Sequence, residues 1–309
     1  MRVVVTGAAG FIGYHLCARL LRDGHEVVGV DNLVTGQQRN VEDLGKCAGF
    51  SFVPHDIVEP LPVEGPVDRL FNLACPASPV DFGPLAIAIL RTCSEGVRQL
   101  LEFARRADAR LIHASTSECY GDPAEHPQRE TYFGCVNPIG HRSPYDEGKR
   151  FAEALVMAHH RAHGQPVGIV RIFNTYGPRM RVNDGRILPN FIRQALRGEP
   201  LTVYGDGSQT RSFCYVEDLV EGIVRRAECD FVEPINLGNP VEATVRQVAE
   251  EVIALTGSPS RIEYLPLPAD DPRRRRPDIT RARTLLGWEA TTSRREGFAR
   301  TIEYFRSLG

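Results

Sequence analysis

The sequence predicts an α/β fold, a doubly wound parallel sheet with a second, smaller α+β domain. Three observations carry this expectation. Six short β-branched runs alternate with stretches of helical period through the first half of the chain, the pattern of successive βαβ units. A glycine-rich turn follows the first run and opens the first helical stretch. Past residue 175 the alternation stops, and Pro, Gly and Arg become dense.

In chain order, the expected strands are "RVVVT" (2–6), "EVVGV" (26–30), "FSFVP" (50–54), "RLFNL" (69–73), "RLIHA" (110–114) and "VGIVRI" (167–172). Helical spacing fills 11–23, 85–106 and 145–164 between them. Beyond these come "NTYGPRM", "YGDGSQTRSF" and "DDPRRRRPD", separated by expected helices near 187–197, 217–227 and 243–256. This divides the chain into a Rossmann sheet domain, 1–175 plus about 213–239, and a smaller domain, 176–212 plus about 240–309, that closes over it.

Composition narrows the class of function. The 309 residues are 42% hydrophobic and 25% charged, as in an ordinary globular protein with ample material for a core. A net charge of −2 gives no reason to expect nucleic acid or a membrane surface as a partner. No apolar run approaches a membrane span, and Met1-Arg2 runs directly into "VVVTG", so neither an anchor nor a signal peptide is expected. The eight cysteines are scattered without a Cys-x-x-Cys pair, which suggests neither zinc nor a disulfide framework and points to a reducing cytoplasm. His159, His160 and His163 near the end of a helix lack a convincing further metal ligand, and read as surface or helix-terminus groups.

Gly7, Gly10 and Gly13 stand directly after the first strand, with Phe11 and Ile12 between them in the first helical turn. Glycine there permits a tight turn and close approach of the backbone to a pyrophosphate, which rests on the helix amino terminus. The spacing is Gly-x-x-Gly-x-x-Gly. Asp31, eighteen residues past Gly13 at the end of the second strand, can bind the adenosine ribose hydroxyls and repel a 2′-phosphate, favouring NAD over NADP. Asn32 follows it, and Asp56 after the third strand suits an adenine contact. Either aspartate could instead be a turn residue.

"SPYDEGKRFAEAL" puts Tyr145 and Lys149 four apart on one helix face. An ammonium beside a phenol favours the phenolate, and drawing its pKa from about 10 toward 7 takes roughly 4 kcal/mol. Such a base can take a proton from a sugar hydroxyl. The plain alternative is a surface pair, but all the 37 basic residues except Lys46 and Lys149 are arginine. Arginine cannot replace lysine in proton chemistry, so the retained lysine is informative. "STSECYG" (115–121) places hydroxyls and a carboxylate where the fifth strand surfaces, although Ser-x-x-Glu is also a helix capping pattern.

With these features the chain resembles the extended short-chain dehydrogenase/reductase group. The joint pattern of "NLACPASP" (72–79), "STSECYGDP" (115–123), "NPIGHRSPYDEGKR" (137–150), "RIFNTYGPRM" (171–180), "YGDGSQTRSF" (204–213) and "RRPDI" (275–279) is similar to the UDP-glucuronic acid decarboxylase (UDP-xylose synthase) family, nearly end to end. The resemblance implies NAD as cofactor, a UDP-sugar as substrate and a homodimer. It implies that Tyr145 removes the 4-hydroxyl proton while C4 is oxidised, with Thr116 on the 4-oxygen, and that Glu118 and Ser117 handle the carboxylate and the proton at C5. It further implies that Asn174 positions the substrate, that Arg211 pairs with the diphosphate, that Asn190 and Tyr204 line the uridine pocket, and that Arg275 lies near phosphates and sugar. Ser117 separates subgroups on chemical grounds. The related 4,6-dehydratases carry an acid there to protonate a departing hydroxyl, which a serine cannot do at neutral pH.

The least typical segment is "VDFGPLAIAILRTCSEG" (80–96). Relatives usually carry Asn-Pro where Leu85-Ala86 stand, lysine near Ala88, asparagine near Cys93 and histidine where Asn72 sits; Cys135 and Pro144 are also unusual. Because this region borders the nicotinamide and a dimer contact in relatives, partial escape of a UDP-4-keto-pentose is expected beside UDP-xylose. A UDP-uronate 4-epimerase and a non-catalytic NAD-binding sensor are the other readings. Asp270, Asp271 and Arg273 to Arg276 could form an ordinary solvated loop, and Cys119 reads as a packing residue.

Overall fold

The structure, a computed structural model, describes residues 1–266 and 274–308. Asp270, Asp271 and Arg273 lie outside them. The six expected strands all form: β1 (Arg2–Thr6), β2 (Glu26–Asp31), β3 (Phe50–Pro54), β4 (Arg69–Asn72), β5 (Arg110–Thr116) and β6 (Val167–Ile172). The short strands β7 (Thr175–Tyr176), β8 (Leu201–Tyr204), β9 (Thr210–Ser212) and β10 (Cys214–Tyr215) follow. After them come β11 (Ile235–Leu237), β12 (Glu242–Thr244), β13 (Ile262–Leu265) and β14 (Arg274–Arg275). The helices are α1 (Phe11–Arg22), α2 (Gln38–Leu44), α3 (Ala86–Arg91), α4 (Val97–Arg106) and α5 (Ser143–His163). They continue with α6 (Ile187–Leu196), α7 (Val216–Ala227), α8 (Val245–Thr256), α9 (Thr280–Leu286) and α10 (Arg294–Arg306).

Seven strands pair in parallel in the order β11-β6-β5-β4-β1-β2-β3. Side-chain alternation sends successive valines of β1 to opposite faces. Val3 and Val5 pack with Leu16, Leu20 and Ile223 from α1 and α7, whereas Val4 packs with Leu100, Leu101 and Val156 from α4 and α5. Covering both faces explains why the strands read as continuous apolar runs. The first of these cores also takes in Leu201, Val248 and Phe298 from β8, α8 and α10. The elements after residue 175 thus pack on the same core as the sheet.

The expected single helix over 85–106 contains one π turn, Thr92–Gly96, between α3 and α4. At β1 the chain order reverses, with β2 and β3 to one side and β4 to β6 on the other, so a crevice opens at the carboxyl ends of the strands. There the turn after β1 meets the loop after β4. Gly7 has φ +73°, and a Cβ on it would lie 2.8 Å from the Leu73 backbone. A Cβ on Gly13 would lie 2.0 Å from the Gly7 carbonyl oxygen.

Gly13→Ala therefore gains helix propensity yet forces backbone against backbone. It should cost about 1–3 kcal/mol of stability and weaken NAD binding together. Urea unfolding and NAD titration check this, and unchanged values for both would contradict the contact.

Candidate active site

A cavity of about 570 Å³ lies in this crevice. Gly7, Gly10, Phe11, Ile12 and Gly13 wall it from the first turn. Thr116, Ser117, Glu118, Tyr145 and Lys149 wall it from β5 and α5, and Asn174, Asn190, Tyr204, Arg211 and Arg275 come from the later elements. Residues up to 268 positions apart are thereby brought together. Asp31, Asn32 and Asp56 are not on its wall.

At the glycine turn, Gly7 N–H donates to the Val30 carbonyl at 2.8 Å, which ties β1 to β2. Helix α1 begins with no side-chain cap and no acidic residue in its first turn, leaving its amino terminus suited to an anion. Asp31 is buried; its two oxygens accept from the Ala9 N–H at 3.0 Å and the Leu33 N–H at 2.8 Å, and burial raises its carboxyl pKa. It therefore shapes the turn as well as ending β2. Asn32 and Asp56 are exposed at the strand ends, with the Asn32 amide donating to Asp56 at 3.0 Å.

Strand β5 delivers Thr116, and a single 3₁₀ turn, Ser117–Tyr120, follows it. The Thr116 hydroxyl accepts from the Glu118 N–H at 3.2 Å and caps this turn, whereas the Ser115 hydroxyl donates to Glu153 of α5, so the Ser-x-x-Glu capping pattern expected of the sequence does not form. Lys149 is buried and donates to the Ala114 carbonyl at 2.9 Å; its Nζ lies 5.9 Å from the Tyr145 ring centre. Phe82 stacks on Tyr145 with ring centres 4.7 Å apart. Here one expectation needs correcting. Burial pushes the Tyr145 phenol up to about 12, and the opposing Lys149 charge and Thr116 hydroxyl do not overcome it. The chain's own groups alone do not bring Tyr145 toward neutrality.

Glu118 sits between two arginines. Arg275 donates to it at 2.8 Å, to Ser117 Oγ at 3.3 Å and to the Gly121 carbonyl at 3.0 Å, while Arg142 pairs with the other carboxylate oxygen. Burial raises the Glu118 pKa, but Arg275 and then Arg142 pull it below its ordinary value. Asp146 behaves oppositely, pushed to about 7 first by burial and then by the Glu118 charge. Asn190 donates to the Gly185 carbonyl at 3.2 Å, Arg211 is buried with a 2.9 Å bond to the Thr210 carbonyl, and Tyr204 is 44% exposed, which puts it at the rim.

The sequence reading passed over Arg142. It stands three residues before Tyr145 in a motif already singled out, but its partner Glu118 lies on another element. Asn72 accepts from Thr6 at 2.9 Å and meets His113 at 3.1 Å, linking β1, β4 and β5. His159 and His160 both turn to Gln165. Among the described residues no cluster of three or more His, Cys, Asp or Glu is placed to hold a metal, and no helix is long and apolar enough to cross a membrane.

Residues 3–238 match the NAD dependent epimerase/dehydratase family. UDP-glucuronic acid decarboxylase 1 of Danio rerio is 51% identical over 304 residues, covering 98% of this chain and 72% of its own length. UDP-glucuronic acid decarboxylase 6 of Arabidopsis thaliana is 50% identical over 307 residues, covering 99% and 89%. The chain belongs to the UDP-glucuronic acid decarboxylase family. A solved structure of UDP-glucuronic acid 4-epimerase from Bacillus cereus, in complex with UDP-glucuronic acid and NAD, shares the fold at a TM-score of 0.89, with 29% identity and 100% of each chain covered. The much higher identity to the decarboxylases favours them over this epimerase. NAD is the cofactor, and the site fits it: the glycine turn has no room for a Cβ, and the α1 terminus lacks a side-chain cap.

Arg142→Ala removes one of the three arginines, with Arg275 and Arg211, that lower Glu118. The acid limb of the kcat/KM profile should move to higher pH, with kcat/KM at neutral pH falling by about 2 kcal/mol, roughly 30-fold. Turnover of UDP-glucuronic acid across pH checks this, and a superimposable profile would contradict it.

Proposed function

We propose that this chain converts UDP-glucuronic acid to UDP-xylose by NAD-dependent oxidation at C4, loss of carbon dioxide and re-reduction. The observation that carries the reading is the Glu118 cluster, in which Arg275 joins Ser117 and Glu118 on the wall of the same cavity as the Tyr145–Lys149 pair. NAD, when bound, accepts hydride from C4 and later returns it, and its oxidised ring is positively charged.

The chain's residues do the rest. Tyr145 takes the 4-hydroxyl proton, Lys149 keeps a positive charge near the developing phenolate, and Thr116 bonds the 4-oxygen. The phenol stands at about 12 without cofactor, so its ionisation near neutral pH relies on the added positive charge of the bound cofactor. The 4-keto group makes the C5 carboxylate that of a β-keto acid. The C5–carboxylate bond breaks, its electrons pass toward the 4-oxygen, and a proton is added at C5. Glu118 and Ser117, held by Arg275, manage the carboxylate and that proton. No hydroxyl departs, which suits Ser117 in place of an acid. Asn174 positions the sugar, Arg211 pairs with the diphosphate, and Asn190 and Tyr204 hold the uridine. Gly7, Gly10, Phe11, Ile12, Gly13, Asp31, Asn32 and Asp56 serve the dinucleotide.

We assign residues 1–175 plus about 213–239 to the NAD-binding domain, and 176–212 plus about 240–309 to the nucleotide-sugar domain. A cytoplasmic homodimer completes the reading. Ile87 and Leu90 of α3 and Phe151 of α5, which are 71%, 39% and 53% exposed, supply apolar surface for the pairing.

NMR of a reaction with UDP-glucuronic acid and NAD should show UDP-xylose as the main product, with a UDP-4-keto-pentose fraction attributable to the atypical 80–96 segment. UDP-galacturonic acid without carbon dioxide release would overturn the reading in favour of epimerisation. Complete return of hydride, with no keto-pentose, would overturn the leakage alone.

A further inference from the structure

Two cysteines that the motifs leave unused meet at the edge of this cavity. Cys75 lies on the loop after β4, lines the cavity and is partly exposed to it. Cys93 is buried in the π turn between α3 and α4. Their Sγ atoms are 3.8 Å apart, although 18 residues separate them in the chain. Cys93 is wedged against α5, since a Cβ on Gly148 would lie 3.3 Å from its sulfur, and Gly148 adjoins Lys149.

We propose that Cys75 and Cys93 form a redox-active dithiol, which hydrogen peroxide or another small hydroperoxide entering the cavity converts reversibly to a disulfide. In the first step the Cys75 sulfur, as thiolate, attacks one peroxide oxygen. The O–O bond breaks, and the departing hydroxide is protonated to water, leaving a sulfenic acid. In the second step the Cys93 sulfur attacks the Cys75 sulfur. The S–S bond forms, the S–O bond breaks, and the hydroxyl leaves as water with the Cys93 proton. The two thiols together lose two electrons, and the peroxide is reduced to two waters.

The surroundings select Cys75 as the attacking sulfur. Its thiol is lowered to about 7, first by the hydrogen bond from Cys93 and then by the Lys149 charge, against the effect of burial. Burial instead raises the thiols of Cys17, Cys119 and Cys214. A disulfide needs the sulfurs at about 2.05 Å, so they must approach by roughly 1.8 Å. Cys93 is fixed by α5, so the movement falls on the Cys75 loop. Leu73 and Ala74 of that loop abut the Gly7 turn, which means that closing the disulfide displaces the wall of the dinucleotide site. Oxidation is thereby coupled to NAD binding, whichever sugar the enzyme takes.

The test treats the purified full chain with hydrogen peroxide, blocks remaining thiols with N-ethylmaleimide and maps peptides without reductant. The expected result is an intrachain Cys75–Cys93 peptide pair, two hydrogens lighter than the separate thiols. It should form before loss of Cys17, Cys119 or Cys214 and revert with dithiothreitol. The NAD dissociation constant, measured calorimetrically, should rise about tenfold on oxidation and recover on reduction. In Cys93→Ser the Cys75 sulfenic acid should persist and be trapped by dimedone. Cys75 remaining alkylatable, passing straight to sulfinic acid in the wild type, or linking only between chains would overturn the dithiol. An unchanged NAD affinity in the oxidised chain would overturn the coupling. The wild-type map decides even if the variant fails to fold.

Discussion

One buried ammonium sets the geometry of the catalytic cavity. Lys149 has 4% of its surface exposed, and a charge so placed costs several kcal/mol unless it is hydrogen-bonded and faced by compensating groups. The Ala114 carbonyl of β5 accepts a hydrogen bond from it, while the nearby Cys75 and the Glu153 carboxylate help to raise its pKa against the effect of burial. Satisfying that charge locks α5 onto β5. The same lock presents Tyr145 to Thr116 and brings Arg142, one turn earlier, onto Glu118. A chain whose basic residues are otherwise arginine, Lys46 apart, carries lysine at this position, where a compact ammonium stands beside the phenol.

The two ends of the site use charge in opposite ways. Glu118 is buried, yet Arg275 and Arg142 hold it ionised, so a fixed negative group stands between two donors before substrate arrives. Tyr145 is buried without enough positive charge and remains a phenol in the chain alone. Desolvation is the leading influence on both, and the number of adjacent cations decides which way each one moves. The carboxylate centre is thus preorganised by protein, whereas the base awaits its cofactor.

Much of this was legible in the sequence because it is local. The parallel strands appear as uninterrupted apolar runs, the glycines as a fixed spacing after β1, and Tyr145 with Lys149 as a four-residue step on one helix face. The parts that escaped are short or long-range. Strand β11 has three residues and α2 has seven, too few to establish a period, and α9 and α10 lie beyond the last helix expected, that near 243–256. The π turn has no sequence mark that separates it from the helix expected over 85–106. Arg142 pairs with a residue 24 positions away, and the contact between Cys75 and Cys93 bridges 18, so tertiary packing alone makes them neighbours. The Lys149 charge, visible in the sequence, points to a lowered Tyr145 pKa, whereas the burial that tertiary packing imposes on the phenol outweighs it.

Transient oxidation at C4, by a cofactor that stays with the enzyme, is the step on which the proposed chemistry turns. Conversion of UDP-glucuronic acid deuterated at C4, in ordinary water, tests it most directly. UDP-xylose that keeps the deuterium at C4, together with incorporation of solvent hydrogen at C5, is the predicted result. UDP-xylose that has exchanged its C4 deuterium for solvent hydrogen would contradict it.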